Sequence, residues 1–264
     1  MDIAIDMTQS ETMQEALWKI QRVAPSDLGV VINGEQGTGK EWAAHLIHQL
    51  SSRAKGPFCP IDFAAMAPEN IEKELFGYEA ITWNGIDIKR SAFEEAGGGT
   101  LLLNELPAVP LAVQMKIARA IEYQQFRRIC GERDLSINAR IIATMSENPE
   151  TLQSRGHLNK DLYYRIGAIT IELPPLRNRR KDIPMLIEKF LQELHTRYGS
   201  SVERISQEAL SICLAYDWPG NVRHLKNAIE YASIMCGTET IRPEHLPFYL
   251  QGDKQRGRDH DQQG

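Results

Sequence analysis

Residues 34–41 read Gly-Glu-Gln-Gly-Thr-Gly-Lys-Glu, with Gly34 and Gly39 five apart and Lys40 directly after. This G-x-x-x-x-G-K spacing suits phosphate binding. Glycines let backbone N–H groups converge on phosphate oxygens, a helix N-terminus adds the positive end of its dipole, and a lysine adds a point charge for the outer phosphates. Gly34, Glu35, Gln36, Gly37, Thr38, Gly39, Lys40 and Glu41 are therefore candidate nucleotide-binding residues. Glu41 stands where such loops usually carry a hydroxyl that touches magnesium. A second stretch, "GGGTLLLNEL" at 97–106, ends an apolar run in Asn104-Glu105. A buried strand ending in two carboxylates would hold magnesium and aim a water. Here the first of the pair is an amide, and only Glu105 remains an acid.

Such groups need strands and helices to aim them. "LGVVIN" (28–33) reads as a buried strand that feeds the glycine loop, and a helix follows through "EWAAHLIHQL". Further strands are expected at 58–63, in "TLLLNEL", at 139–145 and at 168–173, with helical patterns between them such as 111–123. Apolar strands alternating with helices imply a parallel sheet covered on both faces. Thr8-Gln-Ser-Glu11 has the spacing of a capping box for a helix near 10–24, in which Met13, Leu17, Ile20 and Ala24 recur at helical spacing. The pattern changes at "LPPLRNRRKDIP". Only helical segments follow, at 183–197, 206–216 and 220–236. This divides the chain into an α/β core over 1–173, a small all-helical subdomain over 174–250, and a polar tail over 251–264 that is expected to be disordered.

The bulk numbers exclude several classes. With 264 residues, 42% hydrophobic and 25% charged, the chain fits an ordinary globular protein. No apolar run approaches a membrane span and no signal-peptide pattern opens the chain, so a cytoplasmic location and no membrane partner are expected. A net charge of −5 is no footprint for nucleic acid. Cys59, Cys130, Cys213 and Cys236 lie far apart with no C-x-x-C pair, which argues against zinc and against a disulfide framework.

From about residue 10 to 250 the chain resembles the central ATPase module of bacterial enhancer-binding proteins, the AAA+ activators of sigma-54 RNA polymerase. The resemblance is carried by "GEQGTGKE", "ELFGYE" (74–79), "FEEAGGGTLLLNEL" (93–106), "DLYYRIGAITIELPPLRNRRKDIP" (161–184) and "WPGNVRHLKNAIE" (218–230). Glutamate after the loop lysine is that family's usual choice, so Glu41 is a match. The resemblance implies a RecA-like αβα core with a helical lid. ATP or ADP would lie between them and against a neighbouring subunit in a ring. It also implies roles. Glu105 matches the catalytic glutamate, Arg165 the second of two trans-acting arginines and Arg223 the lid sensor arginine, and Thr144 is kept from the sensor strand.

The same resemblance exposes departures. Asn104 replaces the aspartate that holds magnesium through its water shell, so any Mg2+ has no direct protein ligand. Asp62 stands where an asparagine usually switches the catalytic glutamate. Met145 takes the place of the sensor asparagine, and Asn159 that of the first trans arginine. Binding groups survive, whereas groups needed for hydrolysis are mostly changed, and their loss adds several kcal/mol to the barrier. Asp62 and Asn104 look like an exchange of the family's Asn and Asp. Two unrelated changes are the preferred reading, because a carboxylate one strand over seldom has the right geometry.

The family presses a Gly-Ala-Phe-Thr-Gly-Ala loop against sigma-54. Here Ile81, Thr82, Trp83, Asn84, Gly85 and Ile86 occupy that place, with Trp83 at the phenylalanine and Gly85 matching. Trp83 is either a contact anchor or folded back on its own domain. No receiver domain is expected before the core and no helix-turn-helix after 250, so no direct DNA binding is expected of this chain. The resulting expectation is an ATP-binding AAA+ regulatory module with impaired hydrolysis and sigma-54 contact, at most a weak ATPase. Its partners would be homologous AAA+ subunits, with sigma-54 RNA polymerase or another regulator beyond them. The alternatives are a slow but functional ATPase that remodels sigma-54 polymerase, and a structural interaction domain with no nucleotide.

Overall fold

A computed structural model describes residues 8–82, 85–199 and 201–251, with the side chains of 81, 82, 85 and 86 outside the description. Trp83, Asn84 and the tail from 252 onward lie outside the described residues. The chain forms two compact units. Of the described residues, those within 16–35 and 40–173 make up one, and those within 8–15, 36–39 and 174–251 the other.

In the first unit five parallel strands form one sheet: β1 (Val30–Asn33), β2 (Phe58–Asp62), β3 (Thr100–Asn104), β4 (Arg140–Met145) and β5 (Ile169–Glu172). Their order is β2-β3-β4-β1-β5. β1 and β4 are buried along their whole length, which is why they read as continuous apolar runs. β2 departs from that expectation. It is an edge strand with Asp62 and Pro60 exposed, and a sheet edge is where a strand tolerates proline. The glycine run before β3 has a packing cause: a Cβ on Gly99 would meet the Pro57 carbonyl oxygen at 1.9 Å. Helices α1 (Glu11–Val23), α2 (Lys40–Gln49), α3 (Pro68–Phe76), α4 (Leu111–Tyr123) and α5 (Lys160–Ile166) alternate with the strands.

α1 starts at Glu11, and the Thr8 hydroxyl does not close the expected capping box. It accepts from Ser10 N at 3.1 Å and donates to Asp182 instead. The C-terminal end of α1 is closed by Arg140 of β4, which is 2% exposed and donates to the carbonyls of Val23, Ala24 and Leu28. An antiparallel hairpin pairs 78–82 with 85–89, Thr82 opposite Gly85. Arg128 ties the base of that hairpin down, bridging Glu79 at 2.8 Å and Glu94 at 2.5 Å. The guanidinium holds the Glu94 carboxyl at about 2, well below its usual value, with Ser91 adding two hydrogen bonds.

The second unit packs α6 (Ile183–Tyr198), α7 (Gln207–Ala215) and α8 (Asn221–Met235) around Leu176, Ile187, Trp218 and Leu225. It is not wholly helical: Arg204–Ile205 pairs in parallel with Thr240–Ile241. Trp218 is fully buried, and its indole N–H donates to the Cys213 carbonyl at 2.8 Å. All four cysteines are free thiols, and burial pushes that of Cys213 up to about 12. Among the described residues no helix is long and apolar enough to cross a membrane.

Candidate functional site

The glycine loop leaves β1 and enters α2 at Lys40. Gly37 and Gly39 adopt φ of +76° and +105°, which side-chain-bearing residues seldom do. Residues 36–39 are clasped by their carbonyls within the second unit. Gln36 O accepts from the Asn221 amide at 2.9 Å, Gly37 O from Val222 N at 2.9 Å, and Thr38 O from Arg179 Nη2 at 2.6 Å. A Cβ on Gly37 would sit 2.2 Å from the Gly220 oxygen, so the close approach requires glycine. Asn221 is itself fully buried at φ +53°, and its other amide atom accepts from Leu176 N at 2.7 Å. Arg179 is 5% exposed, and its burial lowers its pKa. Arg223, the expected lid sensor, is exposed on the first turn of α8 beside Gly37. The carbonyl side of the loop is thus spent on its support, as anion binding through N–H groups requires.

Lys40 is 6% exposed. Its ammonium donates to Gly34 O at 2.8 Å, Glu35 O at 3.4 Å and Ser146 Oγ at 2.8 Å, and lies 3.0 Å from Glu105 Oε1. Ser146 Oγ in turn donates to Glu105 Oε1 at 2.6 Å. Glu105 adopts the left-handed conformation, φ 57° and ψ 55°, directly after β3. A non-glycine residue there is strained, and such strain collects at functional sites. Its backbone N–H is held by the Thr144 hydroxyl at 2.9 Å, and that hydroxyl donates to Asn104 Oδ1 at 2.6 Å.

Lys40, Glu105, Asn104 and Thr144 therefore come together. Met145 does not join them. It is fully buried among the apolar side chains of the core, and the residue that reaches Lys40 and Glu105 is Ser146, in the bend directly after β4. Sequence reasoning missed Ser146: it sits in the bend one residue past β4, where strand alternation no longer fixes the side a residue faces.

Asp62 and Asn104 are register partners, so their strands are neighbours. The Asp62 carboxylate turns to cap the short helix Phe63–Ala65, accepting from Ala64 N at 3.1 Å. Asn159 likewise has a local task. It is the N-cap of α5, accepting from Leu162 N at 2.9 Å. Arg165 is engaged within the chain, by Asp161 at 3.0 Å and Glu122 at 3.2 Å. Of 81–86, the backbone of 81, 82, 85 and 86 lies in the hairpin, while Trp83 and Asn84 fall outside the described residues.

For magnesium the residues fit poorly. Glu41 brings no hydroxyl, the Asn104 oxygen is uncharged and taken by Thr144, and the Asp62 carboxylate is committed to its cap. Among the described residues no group of three or more His, Cys, Asp or Glu could hold a metal ion. An anion fits well: a buried lysine at a glycine loop already carries a carboxylate.

Residues 7–172 match the family model of the sigma-54 interaction domain, and 177–263 match an AAA+ ATPase lid domain. Among curated relatives, the transcriptional regulatory protein ZraR of Klebsiella oxytoca is 38% identical over 244 residues, 92% of this chain and 55% of that protein. The DNA-binding transcriptional regulator NtrC of Proteus hauseri is 38% identical over 240 residues, 90% and 51%. The chain spans about half the length of these relatives. Among solved structures, NtrX from Brucella abortus in complex with ATP superposes with a TM-score of 0.84 at 35% identity, over 92% of this chain and 56% of that one. Hsp104 of S. cerevisiae, in a complex with casein, shares the fold at a TM-score of 0.59 and 14% identity, over 86% of this chain and 44% of that one.

Proposed function

From the premise that the chain belongs to the sigma-54 interaction domain family, built as a RecA-like AAA+ core with a lid, we propose that it is an adenine-nucleotide-binding regulatory module whose hydrolysis is impaired. The observation that carries this reading is Lys40: a buried cation at the loop, already serving a carboxylate, beside a β3 tip that offers an amide in place of the magnesium aspartate. ATP or ADP would bind to 34–41 through the loop N–H groups and Lys40. Magnesium would have no direct protein ligand and would come with the nucleotide.

Hydrolysis needs a positioned water, a base and a charge clamp on the γ-phosphate. Glu105 can serve as the base only after it leaves Lys40 and Ser146. Arg165 can act in trans only after it leaves Asp161 and Glu122, and Asn159 brings no charge. The partners are homologous AAA+ subunits, in a mixed assembly where an active homologue supplies the missing arginine. Contact with sigma-54 through 81–86 is weakened by the changed tip. A second reading, a slow ATPase that remodels sigma-54 polymerase, is favoured by the retention of Glu105 and Arg165.

The test is binding and turnover on one preparation, with and without magnesium. A fluorescent ATP analogue should bind at micromolar to millimolar concentration, and Lys40→Ala should weaken it about 100-fold, the scale of a lost buried charge-assisted contact. No binding at millimolar nucleotide would leave the empty-site reading. Turnover near one per second that disappears in Glu105→Gln would establish the slow ATPase instead.

A further inference from the structure

Lys40 has three N–H donors, and each points at an acceptor of this chain. The closest acceptors are the Gly34 carbonyl, the Ser146 hydroxyl and the Glu105 carboxylate. The Ser146 hydroxyl closes the group into a triangle. It accepts from Lys40 at 2.8 Å and donates to the same Glu105 oxygen that faces the lysine at 3.0 Å. A phosphate oxygen would need one of those three N–H groups. Two acceptors sit on groups that the chain can move only as side chains; the third is loop backbone.

We propose that Ser146 is a positioning residue that latches the Glu105 carboxylate onto Lys40, so that an internal anion competes with nucleotide phosphate for the lysine. This rests on the nucleotide-binding reading of the loop. The Glu105 backbone supports the assignment. Its left-handed φ of 57° breaks the alternation of β3, and Thr144 holds its N–H, so the carboxylate is aimed at Lys40 by two independent hydroxyls, Thr144 within β4 and Ser146 in the bend directly after it. The residue at the expected switch position does not share this task, because the Asp62 carboxylate is turned to Ala64 N. The latch keeps the buried ammonium neutralised when no phosphate is present, and it withholds the one remaining acid of the β3 tip until a phosphate takes its place.

Two readouts test this. The first needs no nucleotide: competitive acetylation of Lys40 in the free protein with acetic anhydride, read by mass spectrometry. An enclosed, ion-paired amine reacts slowly, so Ser146→Ala should label several-fold faster and Glu105→Gln faster still, while Ser146→Thr, which keeps the hydroxyl, should label like the wild type. The second is affinity for a fluorescent ATP analogue without magnesium, expected to tighten about threefold in Ser146→Ala and about tenfold in Glu105→Gln. Unchanged labelling in both Ser146→Ala and Glu105→Gln overturns the latch, whatever the nucleotide does. Faster labelling with weaker nucleotide binding in Ser146→Ala also overturns it, because Ser146 would then be a ligand of the nucleotide and not a competitor. Faster labelling with no nucleotide bound by any form keeps the latch and defeats the nucleotide reading. Ser146→Thr that labels as fast as Ser146→Ala removes the hydroxyl from the argument and defeats the proposal.

Discussion

The loop at 36–39 and the tips of β2, β3 and β4 solve the same problem differently. In the loop the supporting contacts go to backbone carbonyls from the Val222 N–H and from the buried side chains of Asn221 and Arg179, and the glycines and lysine of the phosphate motif are present. At the strand tips the side chains themselves would do the chemistry, and there the residues are changed and turned to local tasks. Asp62 caps a helical turn, Asn104 receives a hydroxyl, and Ser146 joins Lys40 to Glu105. A loop held by backbone geometry stays fit for binding while nearby side chains drift. Catalysis has no such protection, because each acid or amide acts as an individual.

The largest effect should come from breaking the clasp. Asn221→Ala removes one buried and one part-buried hydrogen bond and places alanine at a positive φ, which together should cost about 3 kcal/mol of stability by denaturant titration. Asn221→Gly keeps the conformation and should recover about 1 kcal/mol of that. If Asn221→Ala is as stable as the wild type, the loop does not depend on its clasp and the contrast fails.

Restoring charge at the strand tip tests the other side. Asn104→Asp, with magnesium, should raise ATP turnover about tenfold, corresponding to roughly 1.4 kcal/mol off the barrier. No rise would mean that the other changed residues, not Asn104, limit the site. A third measurement concerns Asn159. As the N-cap of α5 it should cost about 1 kcal/mol when replaced by alanine, and Asn159→Arg should lose the same cap. Light scattering with size exclusion then sharpens the partner question: the wild type with ATP should run mainly as monomers or dimers at micromolar concentration. A stable ring of this chain alone, unchanged in Asn159→Arg, would show that assembly ignores the finger position. The smallest effect is expected at Asp62. Asp62→Ala loses an exposed cap and should cost about 0.5 kcal/mol, with no change in nucleotide affinity. A clear loss of affinity would mean that its carboxylate does serve the neighbouring strand after all.

Much of this was written in the chain order. The phosphate loop was legible because its eight residues are contiguous and act through their own backbone, so spacing alone specifies them. The inner strands β1, β3 and β4 were legible because burial on both faces demands unbroken apolar runs, and for all five strands the expected segments differ from the observed ones only at their ends. The edge strands β2 and β5 are only partly buried, since an edge needs neither full burial nor every N–H.

The roles at the strand tips were decided only by tertiary structure. Which of Met145 and Ser146 reaches Lys40 is decided where β4 ends: Met145, its last residue, is buried in the apolar core, and Ser146, in the bend that follows, meets the lysine. Whether Asp62 could lend its carboxylate to Asn104 depended on where that carboxylate turns, and a backbone N–H two residues on holds it. Glu105 reaches Lys40 because one residue adopts a left-handed backbone conformation after β3, a departure that no hydrophobic period encodes. Contiguous backbone geometry follows from sequence spacing. Convergence of side chains from separate strands does not, because it is set by register, pleat and the competing local hydrogen bonds that each polar group finds first.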